Sequence, residues 1–230
     1  MKDFSQLEKK FKINFKNQDL LRQAFVHRSY INENPDFKLP HNERLEFLGD
    51  AVLELVVTEY LYQDYPNPEG ELTNWRASLV NSQMLAKLAK KLDIEKYLYL
   101  SKGESKDTNS KARNYILANS VEALIGAIHL DQGYNVAKKF IAAFLLPELP
   151  NILSNQLYLD PKSKFQEIAQ DKIGITPSYK VLKESGPDHA KKFQVGVYLN
   201  EELVATSTGS SKQEAQVKAA AKALEKKKWE

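Results

Sequence analysis

The spacing of hydrophobic residues changes once along this chain. Up to about residue 146 apolar residues recur at helical intervals, and helices fit residues 43–62, 71–92, 111–131 and 135–146. The earlier segments DFSQLEKKF and NQDLLRQAFVHRSYI also have helical spacing, and breakers such as YPNPEG and SKGESKDTNS separate the helices. No run here has the alternation typical of a strand. The pattern predicts an all-α domain over residues 1–147.

The three prolines of PELPNILSNQLYLDP mark the change of pattern and predict a linker over residues 148–158 with some apolar anchoring. Asp160, followed by proline, is a helix start. The alternating runs PSYKVLKES, KKFQVGVYL and EELVATSTG predict a three-stranded antiparallel meander, and Ser210 or Ser211 then caps an alanine-rich helix. Residues 159–228 are therefore predicted to form an α+β domain of order αβββα.

Composition narrows the possible classes of protein. With 230 residues and 42% hydrophobic content the chain can build a real core. The absence of cysteine excludes disulfides and thiolate metal sites and suits the cytoplasm. No signal peptide is expected, because the N-terminal MKDFSQLEKKFK lacks an apolar region, and no membrane span is expected, because the longest apolar run, near FIAAFLL, is too short. Residues 158–230 hold 13 Lys and no Arg against 10 acids, which accounts for the net charge of +3 and hints at an anionic partner.

An acidic stripe runs along the predicted helix HNERLEFLGDAVLEL. Glu43, Glu46, Asp50 and Glu54 fall within an arc of about 80° on a helical wheel, with apolar residues opposite. A solvated face is the ordinary interpretation. Solvated faces, however, usually mix charges, because like charges at this spacing repel, and no lysine offsets this stripe. A hard divalent ion such as Mg²⁺, which prefers carboxylate oxygens, would relieve the repulsion.

The helix NYILANSVEALIGAIHLD offers a second set of ligands, Asn119 and Glu122, away from its apolar face. A close crossing of the two helices would bring these side chains to the acidic stripe and surround one ion with oxygen atoms. The small residues could equally serve packing alone. Those that would permit the crossing are Gly49 or Ala51 on the first helix and Ala123 or Gly126 on the second.

Several blocks of the chain resemble one enzyme family. NERLEFLGDAVL resembles the characteristic motif of ribonuclease III, the double-strand-specific endoribonucleases, and LLRQAFVHRSY, EGELTNWRASLV and ILANSVEALIGAIHLD resemble its other blocks in the same order. The C-terminal region, from DPKSKFQE to KQEAQVKAAAKAL, is similar to a double-stranded RNA-binding domain. The resemblance covers nearly the whole chain. It implies an all-α endonuclease domain followed by an αβββα RNA-binding domain. It also implies that the protein acts in the cytoplasm as a homodimer, on double-stranded RNA such as rRNA precursors and mRNA, and needs no organic cofactor.

The resemblance also implies a reaction and a set of residues. Mg²⁺, with Mn²⁺ as a substitute, would assist hydrolysis of an RNA phosphodiester, leaving 5′-phosphate and 3′-hydroxyl ends. Glu54 receives no role and is expected to be an exposed helix acid. The implied metal ligands are Glu46, Asp50, Asn119 and Glu122, of which Asp50 and Glu122 are catalytic, and the accessory acids are Glu43 and Glu69.

Asn119 departs from the family pattern, which has Asp at that position. An amide oxygen can ligate Mg²⁺ but brings no charge, so a weaker metal site that still cuts at raised Mg²⁺ or with Mn²⁺ is expected. One alternative is a cleavage-impaired protein that binds double-stranded RNA. Another is a ribosome-associated or scaffold module whose acidic helices pair with a basic partner.

Duplex RNA is recognised by shape, through two successive minor grooves and the phosphates between them. The resemblance assigns one minor groove to the first helix of the C-terminal domain, the next to His189 in the GPDH turn, and the phosphates to Lys212 at the start of the last helix. Gln213 and Ser207 replace the family's usual Lys and Gly, so a slightly weaker phosphate grip is expected. Taken one at a time, each of these predicted RNA contacts has the character of an ordinary surface residue. The contacts assigned to the first helix are Ser163, Gln166, Glu167 and Gln170.

Overall fold

The computed structural model describes residues 2–108, 110–187 and 191–229, and its contacts divide the chain into two units between Tyr158 and Leu159. The first unit is helical. No helix in the described ranges is long and apolar enough to cross a membrane. The helices of the first unit are α1 (Ser5–Phe11), α2 (Gln18–Gln23), α3 (Arg28–Glu33), α4 (Glu43–Asp64), α5 (Glu69–Val80), α6 (Ser82–Lys91), α7 (Lys102–Lys106), α8 (Lys111–Gln132), α9 (Tyr134–Phe144) and α10 (Leu149–Ser154).

Helix α8 is the central helix of this unit, packed against α2, α4, α6 and α9. Every residue from Ile116 to Ile128 is buried except Asn119 and Glu122, which are half-buried. The sequence predicts one buried apolar face for this helix, whereas this stretch is buried on nearly all sides. Between Ile116 and Ile128, the two polar side chains therefore occupy the gap in the packing around this helix.

Helices α4 and α8 cross with their backbones in direct contact. A Cβ atom at Gly49 would overlap the carbonyl oxygen of Glu122 and lie 2.8 Å from the backbone nitrogen of Gly126. A Cβ atom at Gly126 would overlap the carbonyl oxygen of Leu45. Of the alternatives left open by the sequence, Gly49 and Gly126 form the crossing, whereas Ala51 is exposed.

The predicted helix over residues 71–92 is wrong in one respect, because the chain there forms two helices, α5 and α6. Asn81 between them is extended (φ −73°, ψ 158°), and its side chain accepts a hydrogen bond from the backbone N–H of Met84. Asparagine favours this capping role over a place inside a helix. Likewise, NQDLLRQAFVHRSYI forms α2 and α3 rather than one helix.

The segment predicted as a linker with some apolar anchoring, residues 148–158, packs with the first unit. It contains α10, whose Leu149 and Ile152 are buried, and Tyr158 packs edge-on against Trp75 at 6.0 Å between ring centroids. Burial of these apolar side chains offsets the entropy of ordering the segment. The division between the two units, at Tyr158 and Leu159, falls at the end of this segment.

The second unit has the predicted αβββα order, with α11 (Pro161–Ile173), β1 (Ser178–Ser185), β2 (Lys192–Leu199), β3 (Glu202–Gly209) and α12 (Lys212–Lys227). Asp160 caps α11 and Ser211 caps α12. The antiparallel sheet has the order β1-β2-β3, with a bulge at Leu182 that shifts the β1 register. Both helices pack on one face of the sheet, around Phe165 and the alanines of α12.

Candidate metal centre and nucleic-acid interface

The crossing of α4 and α8 brings the acidic stripe to the two polar residues of the central helix. Asn119 forms a side-chain hydrogen bond with Glu46, and the charges of Glu46 and Asp50 both act on Glu122. All four predicted metal-site residues are thereby neighbours. Glu46, Asn119 and Glu122 are half-buried, whereas Asp50 is exposed.

Glu122 has the most perturbed carboxyl group of the cluster. Burial raises its pKa from 4.5 to about 8, and the negative charges of Asp50 and Glu46 add to the rise. Burial and the charge of Glu43 also raise the pKa of Glu46, while the hydrogen bond from Asn119 lowers it. No Lys or Arg within the described ranges pairs with Glu46, Asp50 or Glu122. The cluster has an excess of negative charge that a cation would relieve.

The donor chemistry of this cluster fits a hard divalent ion, since three carboxylates and one amide supply only oxygen ligands. The described residues nevertheless include no three Asp, Glu or His side chains already converged closely enough to hold an ion. In this arrangement Asn119 is a hydrogen-bond partner of Glu46 and adds no charge. Binding an ion would require the carboxylates to draw together.

The accessory acids have different surroundings. Glu43 lies beside the cluster, with its carboxylate 3.3 Å from Nη1 of Arg28 and 3.7 Å from Nδ1 of His41. Glu69 begins α5 and lines a pocket with Thr58. Because Thr58 is eight residues beyond Asp50 along α4, about 12 Å at helical rise, Glu69 is not brought to the metal cluster of its own chain.

Two expectations about the surface of α4 have different outcomes. Glu54 is exposed and forms no part of the cluster, as the sequence predicts. Leu55 is one of the apolar residues opposite the acidic stripe, for which burial is expected, but it is 51% exposed. Phe47 and Tyr62 on the same helix are 82% and 80% exposed. In the single chain, α4 thus exposes large apolar side chains on its surface.

The predicted RNA-contacting residues of α11 share one exposed face, opposite the buried Phe165 and Ala169. Side-chain hydrogen bonds steady two of them: Gln170 donates to Oγ1 of Thr176 at 3.1 Å, and the Ser163 hydroxyl donates to Asp160 at 3.4 Å. His189 lies outside the described residues. The exposed set on α11 is Ser163, Gln166, Glu167 and Gln170.

Lys212 is the first residue of α12, and its surroundings include residues that the sequence analysis missed. Its Nζ lies 3.4 Å from Oε1 of Glu184 and 5.6 Å from the centre of the Phe193 ring. Lys191 binds the same carboxylate, at 3.3 Å. Lys212, Glu184 and Lys191 come together through the strand register, so their spacing along the chain does not predict the cluster.

Known proteins resemble the chain over almost its whole length. Residues 17–149 match the family described as Ribonuclease-III-like, and residues 161–227 match the double-stranded RNA binding motif. Ribonuclease 3 of Nitratiruptor sp. is 45% identical over 226 residues, covering 97% of this chain and 96% of that protein. The chain belongs to the ribonuclease III family. Ribonuclease 3 of Natranaerobius thermophilus is 47% identical, and the match covers 98% of this chain and 96% of that protein.

A solved structure supports the same assignment for the first unit. The nuclease domain of ribonuclease III from Campylobacter jejuni matches with a TM-score of 0.56 and 37% identity, covering 64% of this chain and 99% of that one. The predicted family, the fold class and the enzyme class are confirmed: the chain is a double-strand-specific endoribonuclease with a helical nuclease domain and a double-stranded RNA-binding domain.

Proposed function

We propose that the cluster between α4 and α8 is the site at which this chain hydrolyses RNA phosphodiesters, leaving 5′-phosphate and 3′-hydroxyl ends. The observation that carries the proposal is the crossing at Gly49 and Gly126, which makes Glu46 and Asp50 neighbours of Glu122. Burial and these two acids raise the pKa of Glu122 to about 8. A buried carboxylate without a partner is unfavourable, and groups with such perturbed pKa values cluster at functional sites. A divalent cation is the ligand that suits these oxygen donors.

The cation of the proposal is Mg²⁺, with Mn²⁺ as a substitute. When bound, such an ion lowers the pKa of a water molecule and offsets charge on the phosphate and leaving oxygen. Asp50 and Glu122 are the catalytic acids, and Glu46 and Asn119 complete the ligand set. Glu122 has to lose its proton at neutral pH to serve as a ligand, and Asn119 helps to keep Glu46 ionised.

Cleavage of both strands of a duplex requires two such clusters, and we propose that a two-fold homodimer supplies them. Phe47 is 82% exposed and borders an open groove of about 750 Å³, which is lined partly by Leu20, Pro40 and Leu130. A large exposed ring beside an apolar groove on the same surface suits a self-complementary contact. Glu43 lines the same groove, so the contact would lie next to the acids.

The dimer is tested by the mass of Phe47→Ala in solution, measured by light scattering. A shift toward monomer is expected because the largest exposed apolar side chain beside the groove is removed. Tyr62→Ala is the matched control, since this aromatic residue is nearly as exposed on the same helix but lies at a different pocket. An unchanged dimer in the Phe47 variant, or an equal shift in the control, contradicts this interface.

In the second unit we propose that the exposed face of α11 meets a minor groove and that Lys212 binds the intervening phosphates. Exposure of the α11 set supports the first role. The position of Lys212 at the start of α12 supports the second, because the N-terminal end of a helix favours negative charge. We also propose that His189 contacts the next minor groove, and that residues 1–147 and 159–228 form the two functional domains.

Metal-dependent cleavage is tested on a long RNA duplex with the wild-type chain, Asp50→Asn and Glu54→Gln. We expect the wild-type chain and the Glu54 control to cut with Mg²⁺ and the Asp50 variant to bind without cutting. A wild-type chain that binds but does not cut with either Mg²⁺ or Mn²⁺ favours the cleavage-impaired alternative arising from Asn119. A chain that neither binds nor cuts favours the scaffold alternative.

We further propose that the enzyme acts in the cytoplasm on rRNA precursors and mRNA, without an organic cofactor. The cysteine-free sequence suits a reducing compartment. Loss of the enzyme should lengthen rRNA precursors that contain duplex stems, as measured by RNA blotting. Unaltered precursor lengths would exclude this cellular role without affecting cleavage in vitro.

A further inference from the structure

One carboxylate in the second unit joins two lysines from different elements. Oε2 of Glu184, near the end of β1, lies 3.3 Å from Nζ of Lys191, just before β2. Its Oε1 lies 3.4 Å from Nζ of Lys212, the first residue of α12. All three side chains remain partly exposed, at 38% for Glu184, 40% for Lys191 and 58% for Lys212. The cluster is accessible to a large anionic ligand.

Lys212 contacts Glu184 and the aromatic ring of Phe193. Phe193 pairs with Glu184 across the two strands, and its ring lies beneath the ammonium group of Lys212 at 5.6 Å. Glu214, one turn along α12, is engaged elsewhere, since its Oε1 binds Nζ of Lys218 at 2.6 Å. Within the described residues, Glu184 is therefore the carboxylate that pairs with Lys212.

The bulge at Leu182 places Glu184 in this cluster. Val181 pairs with Val195 and Lys183 with Gln194, so Leu182 is left without a partner. Because successive side chains alternate between the faces of a sheet, regular pairing would turn Glu184 to the opposite face. The irregularity thus brings the carboxylate to the start of α12.

We propose that Glu184 is a positioning residue for duplex RNA, holding the ammonium groups of Lys191 and Lys212 together as one phosphate-binding pair. The inference rests on the proposed role of Lys212. Each ammonium has three N–H donors, and bonding to Glu184 leaves donors available for phosphate oxygens. Without Glu184 the two cations repel each other and their long side chains regain rotamer freedom, both of which oppose joint binding of phosphates.

The sign of the effect separates positioning from bulk electrostatics. Removal of an acid makes the surface more positive, so net charge alone predicts tighter RNA binding by Glu184→Gln. Positioning predicts weaker binding. The exposed ion pairs contribute little to folding, so the fold is expected to survive the substitution.

The test measures affinity of the full chain for an RNA duplex longer than about 16 base pairs, the span of one such domain, over a series of KCl concentrations without divalent metal. We expect Glu184→Gln to weaken binding about fivefold to tenfold and to reduce the salt slope by about 1. Glu202→Gln is the matched control, because Glu202 also pairs with a lysine, Lys227, at 2.9 Å, away from the start of α12. It should bind as tightly as the wild type or slightly more tightly.

Unchanged or tighter binding by Glu184→Gln overturns the inference. A second measurement adds Glu184→Gln to the Lys212→Ala variant, where it should weaken RNA binding little further. If the losses of affinity from the two substitutions are fully additive, the inference is also overturned, even if the stability of the fold changes. Failure of the wild-type chain to bind duplex RNA would instead contradict the proposed function of the second unit. The two failures are therefore distinguishable.

Discussion

The contact between Gly49 and Gly126 determines whether the acids of α4 reach Glu122, and it can be tested with one methyl group. In Gly49→Ala the new Cβ would lie 2.6 Å from the carbonyl carbon of Glu122 and 2.8 Å from the backbone nitrogen of Gly126. Carbon atoms pack best at about 3.5–4.0 Å, and the carbonyl oxygen of Glu122 would be closer still to the new Cβ, so the helices must separate by more than about 1 Å. The obstructing atoms belong to the backbone and cannot rotate away.

The size of the effect follows from two opposing contributions. Alanine in place of glycine inside a helix gains about 1 kcal/mol, whereas overpacking in a core costs about 1–3 kcal/mol and more where backbones clash. A net destabilisation of roughly 2 kcal/mol is expected for Gly49→Ala. Gly70→Ala is the matched control, because Gly70 also lies in a helix and has nothing within 4 Å of an added Cβ. The control should be stabilised by up to about 1 kcal/mol.

Urea unfolding measures this difference through the fluorescence of Trp75, which is buried in the first unit, with Trp229→Phe removing the signal from the second unit. Cleavage of duplex RNA should fall at least about tenfold in Gly49→Ala, because separated helices misplace Glu122 relative to Asp50. RNA binding should persist. Equal stability of the two glycine variants, or an unchanged cleavage rate in Gly49→Ala, would show that the close crossing of α4 and α8 does not set the geometry of the site.

Three further predictions concern charge. Asn119→Asp should lower the Mg²⁺ concentration needed for half-maximal cleavage, because it adds a fourth acid to the site. Glu122→Gln should stabilise the metal-free protein at pH 9, since burial and neighbouring acids raise the Glu122 pKa to about 8 and disfavour its ionised form. The pKa shift sets an upper limit of about 5 kcal/mol on the gain in unfolding free energy, which solvent screening reduces to about 1–2 kcal/mol. Glu214→Gln should destabilise the second unit at pH 7, because hydrogen bonds from Lys218 and Ser210 lower the Glu214 pKa to about 2.

The pH dependence of melting temperature checks the last two predictions. The Glu122 effect should be absent below pH 4.5, grow as pH rises to about 8 and remain above it, because only the ionised form is destabilised. The Glu214 effect should be complete above pH 4.5 and vanish as pH falls toward 2. A pH-independent difference in either variant would contradict its mechanism. For Asn119→Asp, unchanged rate and metal dependence would mean that this position does not limit metal binding.

Much of the candidate site could be predicted from the sequence because it depends on local periodicity. The spacing of Glu43, Glu46, Asp50 and Glu54 places them on one face of any α-helix. The alternation and capping residues after Asp160 likewise predict the αβββα order that the second unit has. The resemblance of several blocks to ribonuclease III then indicates which of the acids matter.

The family, the order of elements and the acidic stripe can be predicted from the chain alone, because they follow from local spacing and residue type. The small residues that bring the two helices together, Gly49 and Gly126, are known only from the folded structure, since many crossings are compatible with the same apolar faces. The folded structure also brings Glu184 to Lys212, because the bulge at Leu182 changes the strand register and hence the face on which the following side chains lie.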